Sequence, residues 1–141
     1  MIIHDFSKQN SILNQFIFEL RDVETQKDAM RFRKNIERIG EILCYELSKT
    51  LEYKSTIVQT PFGSKKMALP QNKLVLCSVL RAGLTLHQGL LNYFDTAENA
   101  FISAYRHHLK NSNAFEVIVK YLAAPKLNNK TLVLTDPMLA T

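Results

Sequence analysis

The chain has 141 residues, of which 46% are hydrophobic and 22% are charged. These values are typical of a single globular domain with an ordinary core, and they exclude collagen-like and low-complexity chains. Eighteen lysines and arginines oppose thirteen acidic residues, which gives a net charge of +5. The basic residues are dispersed, so they form no cationic tail, and the excess suits a small anionic substrate.

The sequence contains no signal for secretion or for a membrane. No apolar run approaches the roughly 20 residues that cross a bilayer, and the first residues lack the basic and apolar regions of a secretory signal. Cys44 and Cys77 stand apart in apolar surroundings, which predicts reduced thiols in the core. We therefore expect a cytoplasmic protein without membrane contacts.

Helices are predicted for the first third of the chain. Apolar residues recur at helical spacing from Ser11 to Arg21. A second stripe predicts a long helix from Gln26 to Leu51, with Thr25 as its cap in a sequence that resembles a capping box. Gly40 interrupts this stripe, which indicates a close packing contact. The basic cluster at residues 31–34 is followed by Glu37, Arg38 and Glu41, and this mixture predicts a solvated helix face.

The remainder of the chain predicts strands. Two β-prone runs around a Pro-Phe-Gly turn indicate a hairpin from Ser55 to Leu69, a candidate arm for contacts between subunits. Buried parallel strands are predicted at residues 74–80, 100–105 and 131–135, with a helix from Thr85 to Tyr93 after the first. An alternating run from Phe115 to Tyr121 follows a polar segment. The fold class is therefore α/β, with N-terminal helices, a hairpin arm and a parallel sheet.

Polar residues follow each of the three buried strands. The segments at the strand ends are Arg81-Ala82-Gly83-Leu84, Tyr105-Arg106 and Asp136-Pro137-Met138-Leu139-Ala140-Thr141. Ligands of open α/β sheets bind at these ends. Guanidinium groups pair with phosphate oxygens, and a carboxylate orients Mg²⁺ or a hydroxyl. The pattern predicts a phosphorylated ligand with a divalent metal, although strand-end arginines are also common as plain surface residues and aspartates as turn formers.

The same segments resemble one enzyme family. Val79-Leu80-Arg81-Ala82-Gly83-Leu84, Ala104-Tyr105-Arg106 and the run from Thr135 to Thr141 are similar to motifs of uracil phosphoribosyltransferases, which are type I phosphoribosyltransferases. The resemblance implies a three-layer phosphoribosyltransferase domain. It also implies pyrimidine salvage, in which uracil and phosphoribosyl pyrophosphate give UMP and diphosphate.

The resemblance also assigns roles to residues. Arg81, Arg106 and Asp136 are the implied catalytic residues, with Asp136 against the ribose hydroxyls. The implied contacts to phosphoribosyl pyrophosphate are Arg81, Ala82, Gly83, Arg106, Asp136, Pro137, Met138, Leu139, Ala140 and Thr141. The peptide bond from Arg81 to Ala82, or the bond beside it, is expected to be cis. Pro137 stands where the wider class has a second acid, so Mg²⁺ is expected to bind mainly through the substrate diphosphate, without a metal site of the protein's own.

Two features depart from the family pattern. His107 and His108 occupy a segment that is usually acidic, and we expect a solvent-exposed loop there; His87 is expected to be a packing or surface residue. Thr141 falls inside the implied phosphate loop. We therefore expect residues 1–141 to be one phosphoribosyltransferase domain that lacks its C-terminal part and is inactive alone.

Two other functions fit the sequence. One is a non-catalytic, RNA-binding attenuator with the same fold, and the other is a dimerising module without chemistry. The attenuators resemble the version of the loop with two acids, whereas this chain has Asp136-Pro137, and its basic residues are dispersed. The expected partners are therefore uracil and phosphoribosyl pyrophosphate, with no nucleic acid, in a homodimer or higher homo-oligomer of the full-length protein.

Overall fold

The computed structural model describes residues 1–108 and 115–137, without the side chains of Arg106 and His108. Two helices, α1 (Ile12–Arg21) and α2 (Ala29–Ser48), occupy the first third of the chain, as predicted. Helix α1 begins after Ser11, whose hydroxyl accepts a hydrogen bond from the Leu13 N–H at 3.2 Å. Within the described ranges, no helix is both long and apolar enough to cross a membrane.

The start of α2 differs from the prediction. Asp28, not Thr25, caps this helix: its carboxylate accepts the N–H groups of Met30 at 3.1 Å and Arg31 at 3.0 Å. Thr25 instead opens a short 3₁₀ turn, and its hydroxyl donates to the Asp22 carboxylate at 2.7 Å. Because Asp22 holds the Thr25 side chain, the helix begins at Ala29 rather than Gln26, and it ends at Ser48 rather than Leu51.

Ion pairs confirm the predicted solvated face of α2. Lys34 lies 2.9 Å from Glu37, and Arg31 lies 3.5 Å from Glu19 on α1. Both cationic side chains are about half exposed, so these pairs contribute little to stability and leave the face hydrated.

The predicted hairpin forms a two-stranded antiparallel sheet of its own. Strands β1 (Tyr53–Thr60) and β2 (Gly63–Pro70) are joined by a two-residue turn. Gly63 has a φ of 127°, a conformation that glycine adopts without a steric cost. At the base of the hairpin the Glu52 N–H donates to the Asn72 side chain at 2.7 Å.

The main sheet has four strands in the order β5-β4-β3-β6. These strands are β3 (Leu74–Leu80), β4 (Glu98–His108), β5 (Phe115–Ala123) and β6 (Thr131–Thr135). The predicted parallel arrangement is confirmed for β4, β3 and β6, whereas β5 runs antiparallel to β4. Helix α3 (Gly83–Leu91) connects β3 to β4 and completes the predicted β-α-β unit.

Strand β4 is longer than predicted. It continues past Tyr105 to His108, because β5 pairs with its last residues, Arg106 opposite Val117 among them. His107 is therefore part of a strand and not of a loop, although its side chain is exposed as expected. The prediction of a loop was wrong at His107 and His108, and the rest of that segment lies outside the described residues.

The core lies between the helices and one face of the main sheet. Cys44 of α2, Leu76 of β3 and Leu86 of α3 are buried together there. Both cysteines are buried and free, as predicted, and burial raises the pKa of the Cys44 thiol to about 11. The described helices form a layer on this face, and the second helical layer of the expected three-layer domain stays a prediction.

Helices α2 and α3 cross at two glycines. A Cβ at Gly89 would lie 2.1 Å from the Glu37 carbonyl, and a Cβ at Gly40 would lie 2.6 Å from the Leu86 carbonyl. The close contact predicted at Gly40 is therefore confirmed, since backbone meets backbone at this crossing. The contact fixes the position of α3, and with it the turn before α3.

Candidate active site

The carboxyl ends of the three parallel strands lie at one edge of the sheet. In the parallel register Ser78 is beside Thr135, and Leu80 is beside Ser103. Arg81 directly follows β3 and Asp136 directly follows β6, so both leave neighbouring strands at this edge. Both side chains are exposed at this edge. The sequence placed these two residues at neighbouring strand ends, and the structure brings them to that edge.

The turn at residues 81–83, here called the Arg81 turn, joins β3 to α3. The peptide bond between Leu80 and Arg81 is cis, as expected for this bond or its neighbour. The Arg81 carbonyl accepts the Leu84 N–H at 3.2 Å. Ala82, the N-cap residue of α3, makes no capping hydrogen bond with its side chain. The N-terminus of α3 therefore presents amide groups that favour an anion.

Gly83 packs directly on the ends of β3 and β6. A Cβ at this position would lie 2.5 Å from the Ser78 Oγ and 2.7 Å from the Thr135 carbonyl oxygen, so only glycine fits. Thr135 is buried, and its hydroxyl donates to the Cys77 carbonyl at 3.2 Å. The Arg81 turn is thereby held close to the start of the segment that carries Asp136.

The structure places Arg106 within a strand, whereas the sequence predicted it at the end of one. It does not end its strand, because it lies inside the part of β4 that pairs with β5. The last β4 residue beside β3 is Ser103, so the Arg106 backbone lies about 10 Å farther along the strand direction. Its side chain is outside what the structure describes.

The predicted phosphate loop is described only at its start. Asp136 is exposed and Pro137 is partly buried. Met138, Leu139, Ala140 and Thr141 lie outside the described residues. Their phosphate contacts therefore stay predictions.

Two buried polar side chains between α3 and the sheet were not assigned to the site by the sequence. Ser78 and His87 are 0% and 4% exposed. The His87 Nε2 lies 2.7 Å from the Asn99 Oδ1, and its ring centroid is 5.3 Å from that of Phe101. The expectation that His87 is a packing residue is confirmed. Ser78 is hidden in an apolar strand pattern, so no sequence signal marks its position under the Arg81 turn.

A mainly apolar cavity of about 520 Å³ lies between α2, α3 and β6. Leu43, Leu86 and Val133 line its interior, and Asp136 also contributes to its lining. His4 and Phe6 from the N-terminal segment line it as well, which no sequence pattern indicated. Its apolar walls suit no phosphate group, so the anion-binding features remain those of the Arg81 turn and α3.

The carboxylate at this edge of the sheet is compatible with Mg²⁺ that binds mainly through the phosphates of a substrate. In residues 1–108 and 115–137, no three histidine, cysteine or acidic side chains converge on one point. Asp136 offers a single carboxylate at the sheet edge. Mg²⁺ is commonly held by one or two carboxylates together with substrate phosphates and water, so this donor set is compatible with it.

Comparison with known proteins identifies the family. Residues 7–141 match the family model described as uracil phosphoribosyltransferase. This chain belongs to the uracil phosphoribosyltransferase family. The match includes every strand and helix described above.

The curated relatives carry the same name. The chain is 48% identical to a uracil phosphoribosyltransferase of Porphyromonas gingivalis over 140 residues, which are 99% of this chain and 64% of that protein. It is 33% identical to the uracil phosphoribosyltransferase of Methanococcus maripaludis over 132 residues, which are 92% of this chain and 55% of that protein. The chain thus spans about 64% of the length of the first relative and 55% of the second.

A solved structure has the same architecture. The AQ2163 protein from Aquifex aeolicus superposes with a TM-score of 0.79 at 27% sequence identity, over 100% of this chain and 64% of that protein. The mixed sheet with its N-terminal helices is therefore the arrangement of a known fold. The predicted α/β fold class is confirmed.

Proposed function

We propose that the whole protein is a uracil phosphoribosyltransferase, which converts uracil and phosphoribosyl pyrophosphate into UMP and diphosphate. The observation that carries the proposal is the placement of Arg81 and Asp136 at adjacent strand ends in a chain 48% identical to an enzyme of that name. In this reaction the N1–C1 bond forms, the bond from C1 to the diphosphate oxygen breaks, and uracil loses its N1 proton. The family role of such an enzyme is pyrimidine salvage.

The Arg81 turn is proposed to hold the diphosphate. As the C1–O bond breaks, negative charge develops on the leaving diphosphate, and a guanidinium group together with helix N-terminal amides stabilises that charge. The exposed Arg81 side chain and the α3 N-terminus supply both groups at one place. Ala82 and Gly83 would contact the same group through their backbone. Arg106 is proposed to add a second cation from β4.

Asp136 is proposed to orient the ribose. Its carboxylate can accept hydrogen bonds from the two ribose hydroxyls, which fixes C1 relative to the leaving group. Pro137 and residues 138–141 would surround the phosphate on the ribose. Mg²⁺, held through diphosphate oxygens with Asp136 nearby, would neutralise charge on the substrate.

We also propose that residues 1–141 belong to a single phosphoribosyltransferase domain, and that the protein is a homodimer or higher oligomer. The hairpin supports the oligomer, because both of its strands are almost wholly exposed. The cytoplasmic location expected from the sequence stays a prediction.

The test uses the product of the complete reading frame that encodes this chain. Labelled uracil is incubated with phosphoribosyl pyrophosphate and Mg²⁺, and UMP is separated and counted. We expect UMP only when both substrates are present. Arg81→Ala and Arg106→Ala should each lower kcat by about 30- to 1000-fold, the size of a lost transition-state charge contact.

Lys126→Ala serves as the control, because Lys126 is an exposed cation on the connection between β5 and β6. It should leave kcat and KM unchanged. A protein with intact Arg81, Arg106 and Asp136 that forms no UMP would refute the proposed function, as would arginine variants with the kcat of the control.

A further inference from the structure

The Ser78 side chain carries a buried hydroxyl that makes no hydrogen bond within the described residues. The side chain is 0% exposed, and its Oγ has no hydrogen-bond partner among the residues that the structure describes. Buried hydroxyls in proteins are nearly always paired, because an unpaired one loses its bonds to water without replacement. This hydroxyl therefore requires an explanation.

Packing alone does not explain a serine at this position. Alanine would fill almost the same space in β3 without a buried polar atom. The neighbouring hydroxyl of Thr135 shows that this part of the sheet can satisfy such a group, since it donates to the Cys77 carbonyl at 3.2 Å. Among the described residues two buried side-chain atoms have no hydrogen-bond partner, the Ser78 hydroxyl and the His87 Nδ1, and the hydroxyl is the one that lies directly below the Arg81 turn.

The position of the hydroxyl points to the Arg81 turn. The Ser78 Oγ lies 2.5 Å from the place where a Gly83 side chain would begin, so it touches the backbone at the start of α3. The backbone that it touches belongs to the Arg81 turn, which contains the peptide groups of residues 81–83. A small displacement of this turn would bring one of its backbone polar groups within hydrogen-bond distance of the Ser78 hydroxyl.

We propose that Ser78 is a positioning residue for the diphosphate. Its hydroxyl forms a hydrogen bond with the backbone of the Arg81 turn when that turn holds the diphosphate, and so it stabilises the bound position of the turn. The inference rests on the proposed function, which places the diphosphate at this turn. In the free protein the hydroxyl stays unpaired, so Ser78 favours the bound form over the free form.

The experiment separates binding from stability. Inorganic diphosphate with Mg²⁺ is titrated by calorimetry into the wild-type product of the complete reading frame and into Ser78→Ala. Alanine should weaken diphosphate binding by about 3- to 10-fold, the effect of one hydrogen bond. The melting temperature of the ligand-free protein should stay the same or rise, because the unpaired hydroxyl is removed. A purely structural role would move binding and stability in the same direction.

Cys77→Ala is the matched control. Cys77 is the adjacent residue of β3, is 2% exposed and lies on the other face of the sheet. It should lower the melting temperature by creating a cavity and leave diphosphate binding unchanged. Ser78→Cys keeps a side chain of similar size with a weak donor. Its affinity for diphosphate should lie between those of the wild-type protein and Ser78→Ala. It replaces Ser78→Ala in the experiment if that variant fails to fold.

The possible outcomes are distinct. If the wild-type protein forms UMP but Ser78→Ala binds diphosphate as tightly as wild type, the role of Ser78 is refuted and the proposed function stands. An equal loss of affinity in Cys77→Ala would also refute it. If the wild-type protein neither binds diphosphate nor forms UMP, both proposals fail.

Discussion

Asp28 shows how a single carboxylate sets the start of a helix. Its Oδ1 accepts two N–H groups of the first turn of α2, at 3.0 Å and 3.1 Å. The hydrogen bond from the Arg31 N–H is the largest cause that holds the pKa of Asp28 below its usual value of 3.8. Because the folded-state pKa is lowered, the carboxylate stabilises the fold above the unfolded pKa. That stabilisation is lost as the pH falls through the folded-state pKa.

We therefore expect Asp28→Ala to lower the melting temperature at pH 7 by about 2–4 °C, while Asp28→Asn, a good helix cap, should lower it less. The difference between wild type and Asp28→Ala should shrink as the pH falls below 3.8. Thermal melts followed by circular dichroism at several pH values measure this difference in melting temperature. Asp5→Ala is the control, because Asp5 caps only a three-residue turn. A difference that is independent of pH would contradict the capping role.

Single site residues differ in how well the sequence predicts them. The position of Arg81 and Asp136 at one edge of the sheet could be predicted, because each follows an apolar strand and strand ends form the ligand edge of such sheets. The position of Ser78 could not be predicted, because its hydroxyl lies within an apolar run, where only the register between strands reveals what it contacts. The sequence predicts Thr25 as the cap of α2, because it does not show that Asp22 binds the Thr25 hydroxyl.

At the scale of whole elements, α2 and α3 depend on the two glycines at their crossing. Alanine is favoured over glycine in a helix by about 1 kcal/mol, so Gly→Ala is stabilising where space exists. Here a Cβ at Gly89 would lie 2.1 Å from a carbonyl oxygen, and a Cβ at Gly40 would lie 2.6 Å from another. The helices would have to separate, and the steric cost exceeds the gain in helix propensity.

We expect Gly89→Ala to lower the free energy of unfolding by about 1–3 kcal/mol, and Gly40→Ala to lower it by less. The double variant should lose less free energy of unfolding than the two single variants lose together, because helices that are already separated accept the second methyl group. Urea unfolding measures these values. Asn14→Ala, at an exposed position of α1, is the control and should change the free energy by less than about 0.5 kcal/mol. Additive effects would argue against a shared contact.

Element types were predictable where one local pattern decides them. The apolar stripes give α1 and α2, and the continuous apolar runs give β3 and β6. The end of β4 could not be predicted, because Arg106 and His107 are polar and only pairing with β5 extends the strand through them. The antiparallel direction of β5 likewise depends on its pairing with β4, which the residues of β5 alone do not reveal.

At the scale of the whole molecule, the hairpin stands apart from the main sheet within the described residues. It forms a separate two-stranded sheet, and such a sheet is marginally stable alone in water. It nevertheless exposes apolar side chains on one face, with Ile57 at 71% and Tyr53 at 49%. A second copy of the protein would cover these side chains and stabilise the hairpin, which is the role that the sequence suggested for an arm.

We therefore expect Ile57→Glu to shift the protein from dimer or higher oligomer toward monomer, because a buried, unpaired carboxylate at an interface is costly. Sedimentation velocity on the product of the complete reading frame, at micromolar concentration, measures the mass. Gln59→Lys is the matched control, since Gln59 is exposed on the same strand and on the same face as Ile57. It adds a charge without removing an apolar contact, so its mass should equal that of wild type. A monomeric wild-type protein, or an Ile57→Glu variant of unchanged mass, would show that the hairpin does not join two copies.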